Sequence, residues 1–132
     1  MRQNIDSEKL FERRIAGHKL YSHAVSLEGG RLVFISGQLA RNKQGETVGK
    51  GDMAAQLRQV GENLKLALQA AGASLDDIVK ITTYVTDIDE FFKHVEVRAE
   101  YFGNAMPTST TVEVRRLAHP DMLVEIEAIA VV

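Results

Sequence analysis

Apolar residues recur at helical spacing in one long stretch of the chain. Met53, Leu57, Val60, Leu64, Ala67, Leu68 and Ala71 fall on a single stripe. Asp52 stands where an N-cap belongs, and Gly72 where a left-handed C-terminal residue belongs. Gln56, Arg58, Gln59, Glu62 and Lys65 occupy the side expected to be wet. Before this helix, residues 15–27 read as loosely extended. Glu28-Gly29-Gly30-Arg31 follows as a hairpin turn into a return strand, Leu32 to Ser36. Gly37 comes next, and residues 41–51 form a Gly- and Lys-containing loop. After the helix, Ile78 to Thr86 is a strand by composition. Asp87 or Asp89 caps a second helix whose stripe is Phe91 or Phe92, Val95, Ala99 and Phe102, with Gly103 at its end. Thr110 to Arg116 and Met122 to Val132 are two more strands, joined by residues 117–121 as a closing hairpin.

The order β-β-α-β-α-β-β predicts an α+β fold. Strand–helix–strand crossovers favour parallel neighbours with the helices on one side. The expected architecture is a two-layer sandwich, a mixed β-sheet with two helices on one face. In the closing hairpin, Thr110, Val112, Val114, Val124, Ile126, Ala128 and Ala130 should lie under the helices. Ser109, Thr111, Glu113, Arg115, Leu123, Glu125, Glu127 and Ile129 should share the other face, with Glu113 opposite Glu125. That second face mixes carboxylates with apolar residues, Val131 among them, where a solvent-facing sheet would be more uniformly polar. The mixture predicts that another subunit covers it.

Composition narrows the class. At 132 residues the chain is read as one domain, 1–132, with residues 1–12 peripheral. It has no Cys, which removes disulfides, thiol nucleophiles and cysteine-ligated metals. Sixteen basic and eighteen acidic side chains give a net charge of −2, without the basic surplus of a nucleic-acid binder. No apolar run approaches the ~20 residues that span a bilayer. The start of the sequence carries no signal-peptide core. A cytoplasmic protein with neither nucleic-acid nor membrane partners is the expectation.

Candidate chemistry is sparse. Gly45 to Gly51 is one residue short of a phosphate loop and has Gly where Ser or Thr would hold Mg²⁺. His18, His23, His94 and His119 form no i, i+4 pair, so no metal site is expected. Ser36-Gly37 ends a strand either as an ordinary turn or as a backbone donor brought close to a ligand. Glu125 and Glu127 share a strand face. They are either a solvated charge pattern or a carboxylate held for general acid–base work.

These segments together carry a resemblance. Phe34-Ile35-Ser36-Gly37-Gln38, Asn63 to Gly72, Asp77-Ile78-Val79-Lys80, Pro107 to Val114 and Leu123 to Ala130 occur in the order of one family. From about Arg14 to Val132 the chain resembles the reactive intermediate deaminases (Rid, or YjgF), whose older members were labelled translation inhibitors or L-PSP endoribonucleases. The resemblance implies a chorismate-mutase-like fold. It also implies a homotrimer with a central barrel of facing sheets and three clefts between subunits. The activity implied is hydrolysis of 2-imino acids to 2-oxo acids and ammonia, without metal or organic cofactor. Carried over singly, the cleft tyrosine falls on Tyr21 and the Ser-Gly backbone contact on Ser36 and Gly37. The water-positioning glutamate falls on Glu125, and a cysteine position on Thr111, which keeps only its backbone N–H.

The departure is Ser109. Deaminating members carry there an Arg that grips the substrate carboxylate. Neither that charge nor an Asn near Val95 is found, and the Pro107 loop is short. The Thr110-Thr111-Val112 and Leu117 to Pro120 segments resemble an aminomuconate-deaminase-like branch, where Arg is still usual at this position. Arg41 or Arg115 could supply the charge from a neighbouring chain. The reading is therefore a homotrimeric imine or enamine hydrolase acting on a small metabolite other than the usual 2-imino acids. Its catalytic residue would be Glu125 and its binding residues Tyr21, Ser36, Gly37, Ser109 and Thr111. The alternative is a non-catalytic, metabolite-binding or holdase-like trimer. Ribonuclease activity fits the charge poorly. On this reading Ser109→Arg should restore some activity on 2-imino acids, provided Glu125 and the backbone N–H groups of Gly37 and Thr111 are already in place.

Overall fold

A computed structural model describes residues 1–132. Its elements run β1 (Arg2–Ile5), β2 (Arg14–Ile15), β3 (His18–Lys19), β4 (Ala24–Leu27), β5 (Leu32–Gln38), α1 (Met53–Ala70), a 3-10 turn (Leu75–Asp77), β6 (Ile78–Val85), α2 (Ile88–Phe92), α3 (Val95–Phe102), β7 (Thr108–Glu113) and β8 (Val124–Val131). The main sheet has the order β5-β8-β6-β7. β8 is antiparallel to both its neighbours, and β6 is parallel to β7. The fold is α+β with a mixed sheet.

Both crossovers run through helices, as the element order requires. The β5–α1–β6 crossover leaves a slot between two parallel strands, and the C-terminal strand fills it. α1 forms where its stripe begins. The Asp52 carboxylate accepts from the Ala55 N–H at 3.0 Å, and Gly72 takes a positive φ of 74° beyond the last turn. Met53, Leu57, Val60, Leu64 and Leu68 are buried against Val33, Ile35, Val124, Ile126, Ala128 and Ala130 of the sheet. The second helix is broken at Lys93-His94 into α2 and α3. Asp87, not Asp89, caps α2 through the Glu90 N–H at 3.0 Å.

The structure corrects four expectations. First, Gly29 and Gly30 do turn with positive φ, but the strand before them does not pair with β5. β4 instead pairs antiparallel with β1. An N-terminal strand won that edge, and the polar pattern of residues 1–12 gave no strand signal. Second, β7 and β8 form no hairpin, because β6 lies between them. Glu125 is therefore opposite Tyr84, and Glu113 opposite Val85. Third, the faces of β7 are reversed. Ser109 and Thr111 register with the buried Ile81 and Thr83 on the helix side, and Thr110 and Val112 with Thr82 and Tyr84 on the open side. Fourth, Gln56 is fully buried rather than wet. Its amide donates to Gly49 O (3.2 Å) and Asp121 O (2.7 Å), and its Oε1 accepts from the Leu123 N–H (2.8 Å). A side chain that satisfies three backbone groups is stable in a core where an unpaired one would not be.

Thr83 has no such compensation. Its Oγ1 is buried without a hydrogen-bond partner. A buried unsatisfied hydroxyl costs about 1–3 kcal/mol. Thr83→Val keeps the shape and removes the orphan, so it should raise the melting temperature by about 4 °C. Differential scanning calorimetry would check this, and an unchanged or lower melting temperature would refute it.

Candidate functional site

The site residues fall into two groups. The first lies where β5 meets β8. The ladder is interrupted between Ile35 and Gln38, which leaves Ser36 and Gly37 out of regular register. The Glu125 carboxylate packs directly on the Gly37 α-carbon, so closely that any Cβ there would collide with it. Gly37 has no positive φ. The demand for glycine is therefore one of space, not of backbone conformation. Glu125 is half-buried, and its carboxylate takes part in no hydrogen bond or ion pair within the chain. Beside it on the open face, the Tyr84 hydroxyl donates to Glu127 Oε1 at 3.0 Å. That bond, with burial and the charges of Glu127 and Glu125 behind it, pushes the phenol up. Tyr84 is a neutral donor at neutral pH.

The second group lies on the helix side of β7. Tyr21, Ser109 and Thr111 line a pocket of about 140 Å³ with Arg13, Leu20, Ile88, Phe92 and Arg98. Tyr21 is positioned by the N-terminal segment. Its hydroxyl donates to Phe11 O (3.0 Å) and accepts from the Arg13 N–H (3.2 Å). Ser109 Oγ accepts from the Arg98 guanidinium at 3.1 Å. Arg98 is only 4% exposed, makes no ion pair, and has a guanidinium pulled down to about 10 by burial. It still carries its full charge at neutral pH. At the pocket rim the Arg13 guanidinium stacks 4.3 Å over the Phe92 ring. Arg41 lines a different pocket beside Gly37 and Asn63, and Arg115 another beside Thr86 and Met122. Neither lines the Ser109 pocket.

The two groups are on opposite faces of the sheet, the first on β5 and β8 and the second beside β7. Strands lie about 4.8 Å apart, so the two spacings from β8 to β7 add about 10 Å to the separation of the faces. One chain cannot bring Glu125 and Ser109 to the same small molecule. Between them runs an open face with no helix over it. Phe34 is 71% exposed there, with Leu32 and Val112 also exposed, beside Lys80 and Glu127.

Arg98 was the residue the sequence reading passed over. The apolar stripe of the second helix runs through Ala99, four residues after Val95. Arg98, three residues after it, fits the same period and is the one buried. A charge on an apolar stripe was the available signal.

A compact α+β chain with a mixed sheet and this strand order defines a class, and the comparisons identify it. A family model described as Endoribonuclease L-PSP matches residues 11–132. A RutC family protein of Pyrococcus horikoshii is 50% identical over 111 residues, covering 83% of this chain and 85% of that protein. TdcF of Escherichia coli, provisionally named a reactive intermediate deaminase, is 35% identical over 127 residues, covering 94% and 97%. The solved structure of YyfB from Yersinia pestis, titled as a Rid protein of unknown function, superposes with a TM-score of 0.85 at 36% identity, covering 99% and 98%. Rv2704 from Mycobacterium tuberculosis, of the YjgF/YER057c/UK114 family, superposes at 0.67 with 34% identity over the whole of both chains. The chain belongs to the Rid (YjgF, L-PSP) family.

Proposed function

We propose that this protein is a cofactor-independent hydrolase of small imines or enamines, working as a homotrimer with its sites between subunits. One observation carries the reading. The Gly37–Glu125 half and the Tyr21–Ser109–Thr111 half lie on opposite faces of one sheet, with Gly37 on its first strand and Ser109 and Thr111 on its last. A ring of subunits would set the β5 edge of one chain against the β7 edge of the next and assemble both halves. It would also cover Phe34 and Leu32 on β5 and Val112 on β7, apolar side chains exposed on the open face.

In the assembled cleft, Glu125 takes a proton from water as the water oxygen adds to the imine carbon. The C=N electron pair moves to nitrogen, which is protonated. The tetrahedral carbinolamine collapses to C=O, and ammonia leaves. One water is consumed and one ammonia released. An enamine enters after protonation at carbon. Because β7 carries Ser109 and no guanidinium, 2-imino acids are oriented poorly and turned over slowly. That same feature is what favours the second reading, a trimer that binds metabolites without chemistry. A ribonuclease would need a basic surface that a net charge of −2 does not provide.

Two measurements test the proposal. Light scattering at micromolar concentration should give the mass of three 14.6 kDa chains. Ammonia release from a panel of small imines and enamines should fall by about 10²-fold or more in Glu125→Gln, the usual scale for losing a general base. A monomer, or turnover indifferent to Glu125, would overturn it.

A further inference from the structure

Two guanidiniums stand free at one end of the sheet. β6 and β7 run parallel and finish side by side, and the chain leaves them at Thr86 and at Val114. A cavity of about 400 Å³ lies off these carboxyl ends, the place where parallel strands commonly receive ligands. Arg115, Arg116 and His119 line it with Thr86, and Leu117, Pro120 and Met122 supply its apolar part. No Asp or Glu lines it. Neither arginine side chain makes a hydrogen bond or ion pair within the chain, and neither lies over an aromatic ring. The acids nearest to the lining in sequence are engaged elsewhere. Glu113 Oε1 accepts from the Ile88 N–H at 3.1 Å, Asp87 caps α2, and Asp121 lies 3.9 Å from the Lys50 ammonium. His119 Nδ1 accepts from the Asp121 N–H at 3.1 Å, which leaves the ring proton on Nε2 as a further donor. In a chain of net charge −2, this acid-free cationic cavity is a local feature.

The donor set selects the ligand. One guanidinium fork already satisfies a carboxylate, so two consecutive forks suit a group with more acceptor oxygens and more charge. A phosphate monoester has three terminal oxygens and close to two charges at neutral pH. The apolar residues call for an organic portion beside it. We propose that this cavity binds a phosphate monoester of a small organic molecule. Arg115 and Arg116 hold the phosphate, Thr86 and His119 add donors, and the organic part rests on Leu117, Pro120 and Met122. The cavity shares no residue with the Glu125 group or with the Tyr21 pocket, so this site stands apart from the proposed reaction.

The probe is phenyl phosphate, titrated by calorimetry into the full chain above about pH 7, where the ester is dianionic. Saturable binding with a Kd of about 1 mM or below is expected, weakening as salt is added. Benzoate has the same ring and one charge, and should bind about tenfold or more weakly. Inorganic phosphate, which lacks the ring, should also bind more weakly than phenyl phosphate. Arg115→Gln and Arg116→Gln should each cut the affinity about tenfold. Both should melt near the native temperature without ligand, because both side chains are exposed and unpaired. The double variant Arg115→Lys with Arg116→Lys keeps the charges but not the forks, and should bind between native and the glutamine variants. No saturable binding well above about 1 mM overturns the site. So does equal binding of benzoate, or full affinity in either glutamine variant. Native affinity in the double lysine variant overturns the two-fork grip. Arginine-dependent binding of a single-stranded RNA oligomer, with none of phenyl phosphate, would reject the small ester.

Discussion

Ser109→Arg alone should not convert this protein into an efficient 2-imino acid deaminase. It should lower the melting temperature by several degrees and leave 2-iminopropanoate hydrolysis no better than native. The sequence by itself suggests the opposite, because the strand lacks the guanidinium that deaminating relatives are implied to use. Arg98 changes the outcome. It already donates to Ser109 Oγ from 3.1 Å away, so a second guanidinium would enter a pocket of about 140 Å³ that holds one. Two such charges about 4 Å apart repel by about 4 kcal/mol at an effective dielectric near 20. Overfilling a packed site adds about 1–3 kcal/mol. Moving the charge rather than adding one should work. In Arg98→Gln combined with Ser109→Arg, the guanidinium hangs from β7, where it can orient a 2-imino acid toward a neighbour's Glu125. We expect kcat on 2-iminopropanoate at least tenfold above native, with KM little changed, and strong non-additivity between the two substitutions. An amino-acid oxidase generating the imine, coupled to detection of the 2-oxo acid, reads this directly. A gain from Ser109→Arg alone would show that Arg98 does not occupy the position described.

Much of the scaffold could be read from periodicity. Helix α1 was legible to the residue because a cap, a stripe and a terminal glycine all agreed. β8 was legible by face, since Val124, Ile126, Ala128 and Ala130 alternate cleanly into the core. What failed was partnership. A strand's alternation says which side chains share a face but not which strand lies next to it. The Gly29-Gly30 turn and the 117–121 turn both suggested hairpins, and both strands paired elsewhere. β7 was read backwards because its threonines and serine are equally tolerable on either face. Only the register with Ile81 and Thr83 decides the matter.

The candidate site shows the same division. Ser36, Gly37 and Glu125 are brought together by β5 and β8, and Tyr21, Ser109 and Thr111 by a pocket. Residue types could nominate both groups, but no spacing in the sequence could reveal that they stand on opposite faces of the sheet. Gln56 and Arg98 escape a sequence reading for different reasons. Gln56 falls on the polar side of the α1 stripe, and Arg98 falls beside a stripe drawn through Ala99. In the fold one is buried because the backbone satisfies it completely, and the other is buried with its charge unpaired. Those are opposite circumstances.

Gly37→Ala should silence turnover while leaving the fold nearly intact. The backbone there adopts no positive φ, so alanine brings no conformational strain. Its methyl group would instead displace the Glu125 carboxylate, lying 2.9 Å from Cδ and 3.2 Å from Cγ if nothing moved. The carboxylate is the free end of a flexible side chain with no hydrogen bond to hold it, so it can swing aside at small cost to stability. Function is less forgiving, since a displacement of about 1 Å at a reacting group can cost 10²-fold in rate. We expect a melting temperature within about 3 °C of native and ammonia release reduced by about 10²-fold. The double variant with Glu125→Gln should be no slower than Glu125→Gln alone, because both remove the same action. Full activity in Gly37→Ala would mean that Glu125 does not work from its position over Gly37. Additive losses in the double variant would mean that Gly37 acts through something other than Glu125.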